Sequence, residues 1–198
     1  DDYLQNVKDE NAQIEIAFFG GSFTAIEEKL QNELLELAYT YIKDGKVESI
    51  RISTRPDCID KNILKRLKKY KVKTIELGVQ SSNDYILERA NRGHNFEDVK
   101  KASKLIRFYG FKLGHQMMVG LPESTRIDEI NTAKALIKLK PKIVRIYPVL
   151  VIKDTETISK KKYSLVAGQY FDIKVERVNW TEEEFKERMS NYDIELRK

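Results

Sequence analysis

Apolar residues fall along this chain in two alternating rhythms. Five short runs, residues 14–19, 47–53, 73–80, 112–119 and 142–149, are rich in Ile, Val, Phe and Tyr with little strict alternation, a pattern that predicts strands covered on both faces. Between them the spacing turns helical. Leu30, Leu34, Leu37, Ala38, Tyr41 and Ile42 form one stripe, and Ile63, Leu64 and Leu67 form a second. Val99, Ala102, Leu105 and Ile106 form a third, and Ile127, Ile130, Ala133, Leu136 and Ile137 a fourth. Asn95 with Asp98, and Thr125 with Asp128, have the three-residue spacing of capping pairs at helix starts.

Strand and helix in repeated alternation mean parallel strands joined by right-handed crossovers. The fold class is therefore α/β, as an open doubly wound sheet or as part of a (β/α) barrel. After Thr155 the rhythm changes. Lys160, Lys161 and Lys162 open a basic stretch, residues 169–178 show period-two alternation, and Thr181 with Glu184 begins a short helical pattern carrying Phe185 and Met189. The expected division is a core over residues 1–155 and an appended strand and helix over residues 156–198.

Composition narrows the chemistry. The 198 residues are 41% hydrophobic and 34% charged, the balance of a globular chain with a wet surface. No apolar run reaches the roughly 20 residues of a membrane span, and Asp1-Asp2-Tyr3 does not open a secretory signal, so a cytoplasmic protein is expected. The net charge of +5 is spread over helices in which acidic residues alternate with basic ones, the pattern of solvated faces. Cys58 is the only cysteine, which excludes a disulfide framework and any zinc or iron–sulfur site built mainly from cysteines of this chain. The two histidines, His94 and His115, have no partners at ligand spacing, so no protein metal site is expected. His115 falls inside a strand, as a packed residue rather than a base.

In parallel α/β folds ligands bind at the carboxyl ends of the strands. Here those ends read Gly20-Gly21-Ser22-Phe23-Thr24, Ser53-Thr54-Arg55-Pro56-Asp57, Gly78-Val79-Gln80-Ser81, Gly120-Leu121-Pro122-Glu123 and Tyr147-Pro148. Three of the four prolines and four of the nine glycines lie there. Turns alone explain those glycines and prolines, but not the polar Ser22, Thr24, Ser53, Arg55, Gln80 and Gln116 around the same rim. Gly20-Gly21 lets backbone approach a ligand closely, and Arg92 carries a planar fork suited to a carboxylate. Neither Gly-x-x-x-x-Gly-Lys nor Gly-x-Gly-x-x-Gly occurs at these ends, which excludes the corresponding nucleotide-binding classes.

Taken in order, these strand ends, with Arg92-Gly93-His94 and Met118-Val119-Gly120-Leu121-Pro122-Glu123, resemble radical S-adenosylmethionine enzymes. Within them the motifs are similar to the branch holding oxygen-independent coproporphyrinogen III oxidase and the catalytic subunit of Elongator. The resemblance runs from about residue 14 to residue 155. It implies a partial (β/α) TIM-like barrel lacking its first strand unit, with S-adenosylmethionine across the strand ends. It further implies that Gly20, Gly21 and Ser22 meet the cofactor's amino group, and that Ser53, Gln80, Arg92 and Gln116 make polar contacts to it. Arg92 would hold the carboxylate, and Gln116 stands where an acidic residue is expected on the ribose. Thr24 and Arg55 belong to the same rim, and Gly120 opens the stretch on the adenine side.

A [4Fe–4S] cluster, an electron donor and hydrogen abstraction by a 5′-deoxyadenosyl radical are implied with the family. The expected Cys-x₃-Cys-x₂-Cys should precede residue 14, and Cys58 cannot replace it. Either the chain begins after the first βα unit or a cluster-less relative has kept the fold; the missing initiator Met and the motif-poor first thirteen residues favour the former. The expected function is thus that of a radical S-adenosylmethionine oxidoreductase fragment, inactive alone, acting on a small molecule or a tRNA. The alternative is a barrel that grips tRNA through Lys65, Arg66, Lys68 and Lys69.

Overall fold

The computed structural model describes residues 12–153 and 163–167, with Leu4 and Val7 ahead of them, and contains all five expected strands. They are β1 (Glu15–Phe18), β2 (Ser49–Thr54), β3 (Val72–Gln80), β4 (Lys112–Val119) and β5 (Ile143–Lys153). Every neighbouring pair is parallel, and the strands lie in chain order. An order with no reversal point belongs to a barrel wound in one direction, not to a doubly wound sheet. The curl is visible directly: the Arg145 guanidinium on β5 sits 5.0 Å from the ring centroid of Phe19, just past β1. The two edges of the parallel sheet have been brought face to face. The fold is a partial TIM-like barrel.

Helix α1 (Glu28–Lys43) follows β1 and α2 (Lys61–Lys69) follows β2. Two helices, α3 (Asp84–Arg89) and α4 (Phe96–Phe108), connect β3 to β4, and α5 (Arg126–Lys138) leads into β5. Both expected capping pairs form complete boxes: Asn95 with Asp98 starts α4, and Thr125 with Asp128 starts α5. The six-residue α3 is too short to show a periodic stripe, and its start is set by the Asn83 side chain accepting from the Tyr85 N–H. Tyr163–Ala167 adds a sixth strand, β6, antiparallel to β5, which the chain's pattern did not suggest. The strand expected at 169–178 and the helix expected from Thr181 lie outside the described residues.

The core lies between the sheet and its helices. Ile50, Ile52, Ile75, Leu77 and Leu113 from the strands meet Leu35, Leu64, Leu67, Val99, Ile106 and Leu136 from the helices, all essentially without solvent exposure. Each such side chain contributes about 1.5–3 kcal/mol relative to an exposed one. The stripes expected on α2 and α4 face this core.

Those on α1 and α5 are rotated. Helix α1 turns Gln31, Leu35 and Ala38 inward and leaves Leu37 61% exposed. The cause is the buried Gln31 amide, which donates to the Thr24 and Ile26 carbonyls and accepts from Arg66. Helix α5 buries Thr132 and Leu136 while Ile127, Ile130 and Ile137 point outward. Here the Thr132 hydroxyl accepts from the Ser82 N–H at 2.9 Å, fixing the helix against the loop after β3. In both helices the satisfaction of a buried polar group overrides the apolar count.

His115 is fully buried on the helix side of β4, with Nε2 2.9 Å from the Ser103 hydroxyl on α4. Burial pushes its pKa down to about 4. A chain that unfolds regains an ordinary imidazole near 6.5, so between these values the unfolded state binds the extra proton. Stability should therefore fall as pH drops from about 6.5 to about 4, by about 3 kcal/mol at most. Urea unfolding across that range, wild type against His115→Gln, measures it; equal slopes would remove His115 as the source.

Candidate functional site

The strands alternate after all once small and charged residues are counted. One face carries Ile16, Ile50, Ile52, Ile75, Leu77 and Leu113 against the helices. The other, lining the barrel, carries Glu15, Ser49, Arg51, Ser53, Glu76, Gly78, Gly114, Gln116 and Arg145. The second covered face is polar, not apolar.

Its centre is Glu76, whose side chain has no solvent exposure. Arg51 donates to one carboxylate oxygen at 2.7 Å. Arg145 Nε at 3.2 Å and Gln116 Nε2 at 2.9 Å reach the other. Arg51 also forks onto Glu15, which accepts from the Ser49 hydroxyl at 2.6 Å. Burial works against the charge on Glu15, but the hydrogen bonds from Ser49 and Arg51 outweigh it and hold the carboxyl below its ordinary value. Gly114 makes room for this arrangement: a Cβ there would lie 2.6 Å from Glu76 Cγ.

Above the network lies the rim. Gly20 and Gly21 both adopt positive φ, 89° and 61°, with nothing within 4 Å of where a Cβ would stand. The backbone after β1 is thus open to an approaching molecule. The Ser22 hydroxyl pairs with Thr54 at 2.9 Å and accepts the Arg55 N–H, latching the end of β1 to the end of β2. Thr24 is buried, its hydroxyl engaged by Thr54 and by the Cys58 carbonyl at 2.6 Å. Arg55 forks onto Asp57 and reaches the Gly93 carbonyl, so it ties the loop after β2 to the loop after α3. Gln80 is buried at φ 68°, with its side chain folded over Gly78. Ser53 accepts from Gln116 at 3.0 Å. Gly120, at φ 79°, gives its N–H to Glu129 at 2.7 Å.

Arg92 differs from the rest. Its Nε is buried and has no hydrogen-bond partner among the described residues, and its guanidinium is pushed below its ordinary pKa by burial first and by Arg55 second. Arg92 is thus a part-buried cation beside another cation, a charge left without a carboxylate among the described residues. His94 beside it is braced by the Val79 and Arg92 carbonyls, and burial lowers its pKa as well.

The rim thus joins Ser22, Arg55, Arg92 and the Gly20-Gly21 backbone to a wall carrying Ser53 and Gln116. Glu15, Arg51, Glu76 and Arg145 were absent from the candidate residues; their period-two spacing within the strand runs was the available signal. Cys58 lies in the turn after β2, its thiol donating to Asp57, and burial followed by the Asp57 charge pushes its pKa up. Among the described residues no cluster of three or more His, Cys, Asp or Glu could hold a metal ion. No described helix is long and apolar enough to cross a membrane.

Residues 1–136 match the family model of the radical SAM superfamily. An uncharacterized protein of Methanocaldococcus jannaschii is 34% identical over 166 residues, covering 80% of this chain and 51% of that protein. The tRNA uridine(34) acetyltransferase of Methanocaldococcus infernus is 29% identical over 173 residues, 77% of this chain and 32% of that one. The chain thus spans about half the length of the first relative and a third of the second. Among solved structures, archaeal Methanocaldococcus infernus Elp3 with an N-terminal deletion superposes with a TM-score of 0.69 at 29% identity, over 78% of this chain and 41% of that one. Coproporphyrinogen III oxidase from Escherichia coli, at 22% identity and a TM-score of 0.56 over 69% of this chain and 32% of that one, shares the fold.

Replacing Gly114 by alanine should force the buried Glu76 carboxylate off its partners, at a cost of about 1–3 kcal/mol. Denaturant midpoints of Gly114→Ala and wild type give the number. A midpoint unchanged by the substitution would show that Glu76 is not confined as described.

Proposed function

The chain belongs to the radical SAM superfamily, and we propose that its rim of strand ends holds S-adenosylmethionine. The observation that supports this reading is Arg92, a part-buried guanidinium whose buried Nε has no partner among the described residues, near Arg55, whose N–H bonds Ser22 next to the unobstructed Gly20-Gly21 backbone. The methionine carboxylate supplies the anion that Arg92 lacks, and the backbone after β1 meets the amino group. Ser22, Thr24 and Arg55 hold the three loops of the rim in place through their hydrogen bonds. Ser53, Gln80, Gln116 and Gly120 line the remaining wall.

The cofactors of this superfamily are S-adenosylmethionine and a [4Fe–4S] cluster, which together supply a 5′-deoxyadenosyl radical for hydrogen abstraction. The residues present fit the first and not the second. Cys58 is the only cysteine, and its thiol is engaged with Asp57, so this chain offers no three-thiolate site. In this reading residues 1–155 bind and orient S-adenosylmethionine and exclude water, while the cluster ligands and an electron donor come from outside this sequence. A tRNA substrate is favoured over a porphyrinogen, because the relatives named for tRNA uridine(34) match at 29% identity and coproporphyrinogen III oxidase at 22%.

A second reading, binding of tRNA without radical chemistry, has one observation in its favour. Lys61, Lys65, Lys68 and Lys69 on α2 and Lys100, Lys101, Lys104 and Arg107 on α4 are all exposed. Arg66 is not part of that face, since it is held by Glu28 at 2.7 Å and by Gln31.

Arg92→Ala should weaken S-adenosylmethionine binding by about tenfold to a hundredfold, the weight of a charge-assisted pair, as read by calorimetric titration. Undiminished affinity would sink the cofactor reading. For the second reading, neutralising Lys65, Lys68 and Lys69 together should reduce both tRNA retention at low salt and its salt dependence. No retention by wild type at low salt removes that reading.

A further inference from the structure

The wall beneath the rim contains a hydrogen bond whose direction is dictated by charge. Gln116 Nε2 lies 2.9 Å from Glu76 Oε2 and 3.0 Å from the Ser53 hydroxyl. A carboxylate only accepts, so the amide nitrogen of Gln116 must be the group that faces it. Both amide protons are then engaged, one by Glu76 and one by Ser53. The carbonyl oxygen, Oε1, has no donor among the described residues, on the half-buried side chain of a strand that leads to the rim.

Glu76 itself cannot turn away. Arg51 grips one of its oxygens and Arg145 the other, and its side chain is fully buried. Arg145 lies directly across from Gln116 on β5, and Gly78 directly across on β3.

We infer that Glu76 is a positioning residue that turns Gln116 into an obligate hydrogen-bond acceptor, so that a neutral amide does the work of a carboxylate toward a hydroxyl of the bound ligand. This rests on the S-adenosylmethionine reading of the rim and deepens it: the group recognised is a ribose hydroxyl, which must donate. The same geometry explains why position 116 is not acidic. A second carboxylate within hydrogen-bond distance of Glu76 would set two like charges against each other in a buried wall. The charge stands one strand away and is relayed as orientation. It follows that the acid can be moved, provided only one of the two positions carries it.

The test measures binding of S-adenosylhomocysteine and of its 2′-deoxy and 3′-deoxy analogues to the full chain by calorimetric titration. Wild type should prefer the ribose ligand over at least one deoxy analogue by about fivefold, the ratio expected from one neutral hydrogen bond. Glu76→Gln leaves the Gln116 amide free to present either end, and the preference should fall to near one. Exchanging the two residues, Glu76→Gln with Gln116→Glu, returns a fixed acceptor to position 116 and should restore the preference. A residue that served only to hold the wall together would change affinity for all three ligands alike, and exchange would not restore a ratio. If Glu76→Gln fails to fold, the exchanged variant decides, since its charge is unchanged; its failure to discriminate overturns the inference. No binding of S-adenosylhomocysteine by wild type overturns the cofactor reading and this inference with it. Binding without discrimination overturns this inference alone.

Discussion

One buried carboxylate organises the inside of this barrel. Glu76, on the central strand β3, has no contact with solvent and so must be matched by charge and hydrogen bonds within the protein. Its partners come from β2, β4 and β5, and through Arg51 the network reaches Glu15 on β1. All five parallel strands are thereby tied at one level. Removing one member of such a buried set costs about 3–5 kcal/mol, because the others are left unpaired in low dielectric. A wholly apolar wall would hold the strands as firmly, but it could not orient Gln116 or present Arg145 beside Phe19.

The barrel has charges of two kinds. Glu15, Arg51, Glu76 and Arg145 set two carboxylates against two guanidiniums. Arg92 at the rim leaves a buried donor unmet and stands near Arg55, whose own charge is answered by Asp57. In the proposed reading the Gly20-Gly21 backbone, free of side chains, offers carbonyl acceptors to the amino group while Arg92 meets the carboxylate.

Much of this was legible from residue order. The parallel strands, the faces of α2 and α4 and both capping boxes follow from short-range rules: a strand run, a helical period, a side chain meeting a backbone three residues away. The rim residues were found because strand ends converge in any parallel barrel. The faces of α1 and α5 were not legible, because Gln31 and Thr132 are buried to meet partners more distant in the chain and turn apolar residues outward. The polar inner wall was missed for a related reason. Gly78 and Gly114 hide the period of two, since a glycine reads as a turn until the Gln80 side chain is seen over the first and the Glu76 side chain over the second.

The sequence by itself determined the class of fold, the order of its elements, the location of the rim and the absence of a cluster site built from its own cysteines. Each depends on composition or on spacing within one element. The tertiary structure decided between barrel and open sheet, by strand order and by the approach of Arg145 to Phe19 across the curl. It also decided which polar residues are satisfied and which are not. Arg66 and Arg92 look alike in the chain, yet Arg66 is paired with Glu28 and Gln31, whereas Arg92 stands near a second cation, Arg55. Hydrogen-bond satisfaction depends on groups far apart in sequence, and only the folded chain brings them within reach.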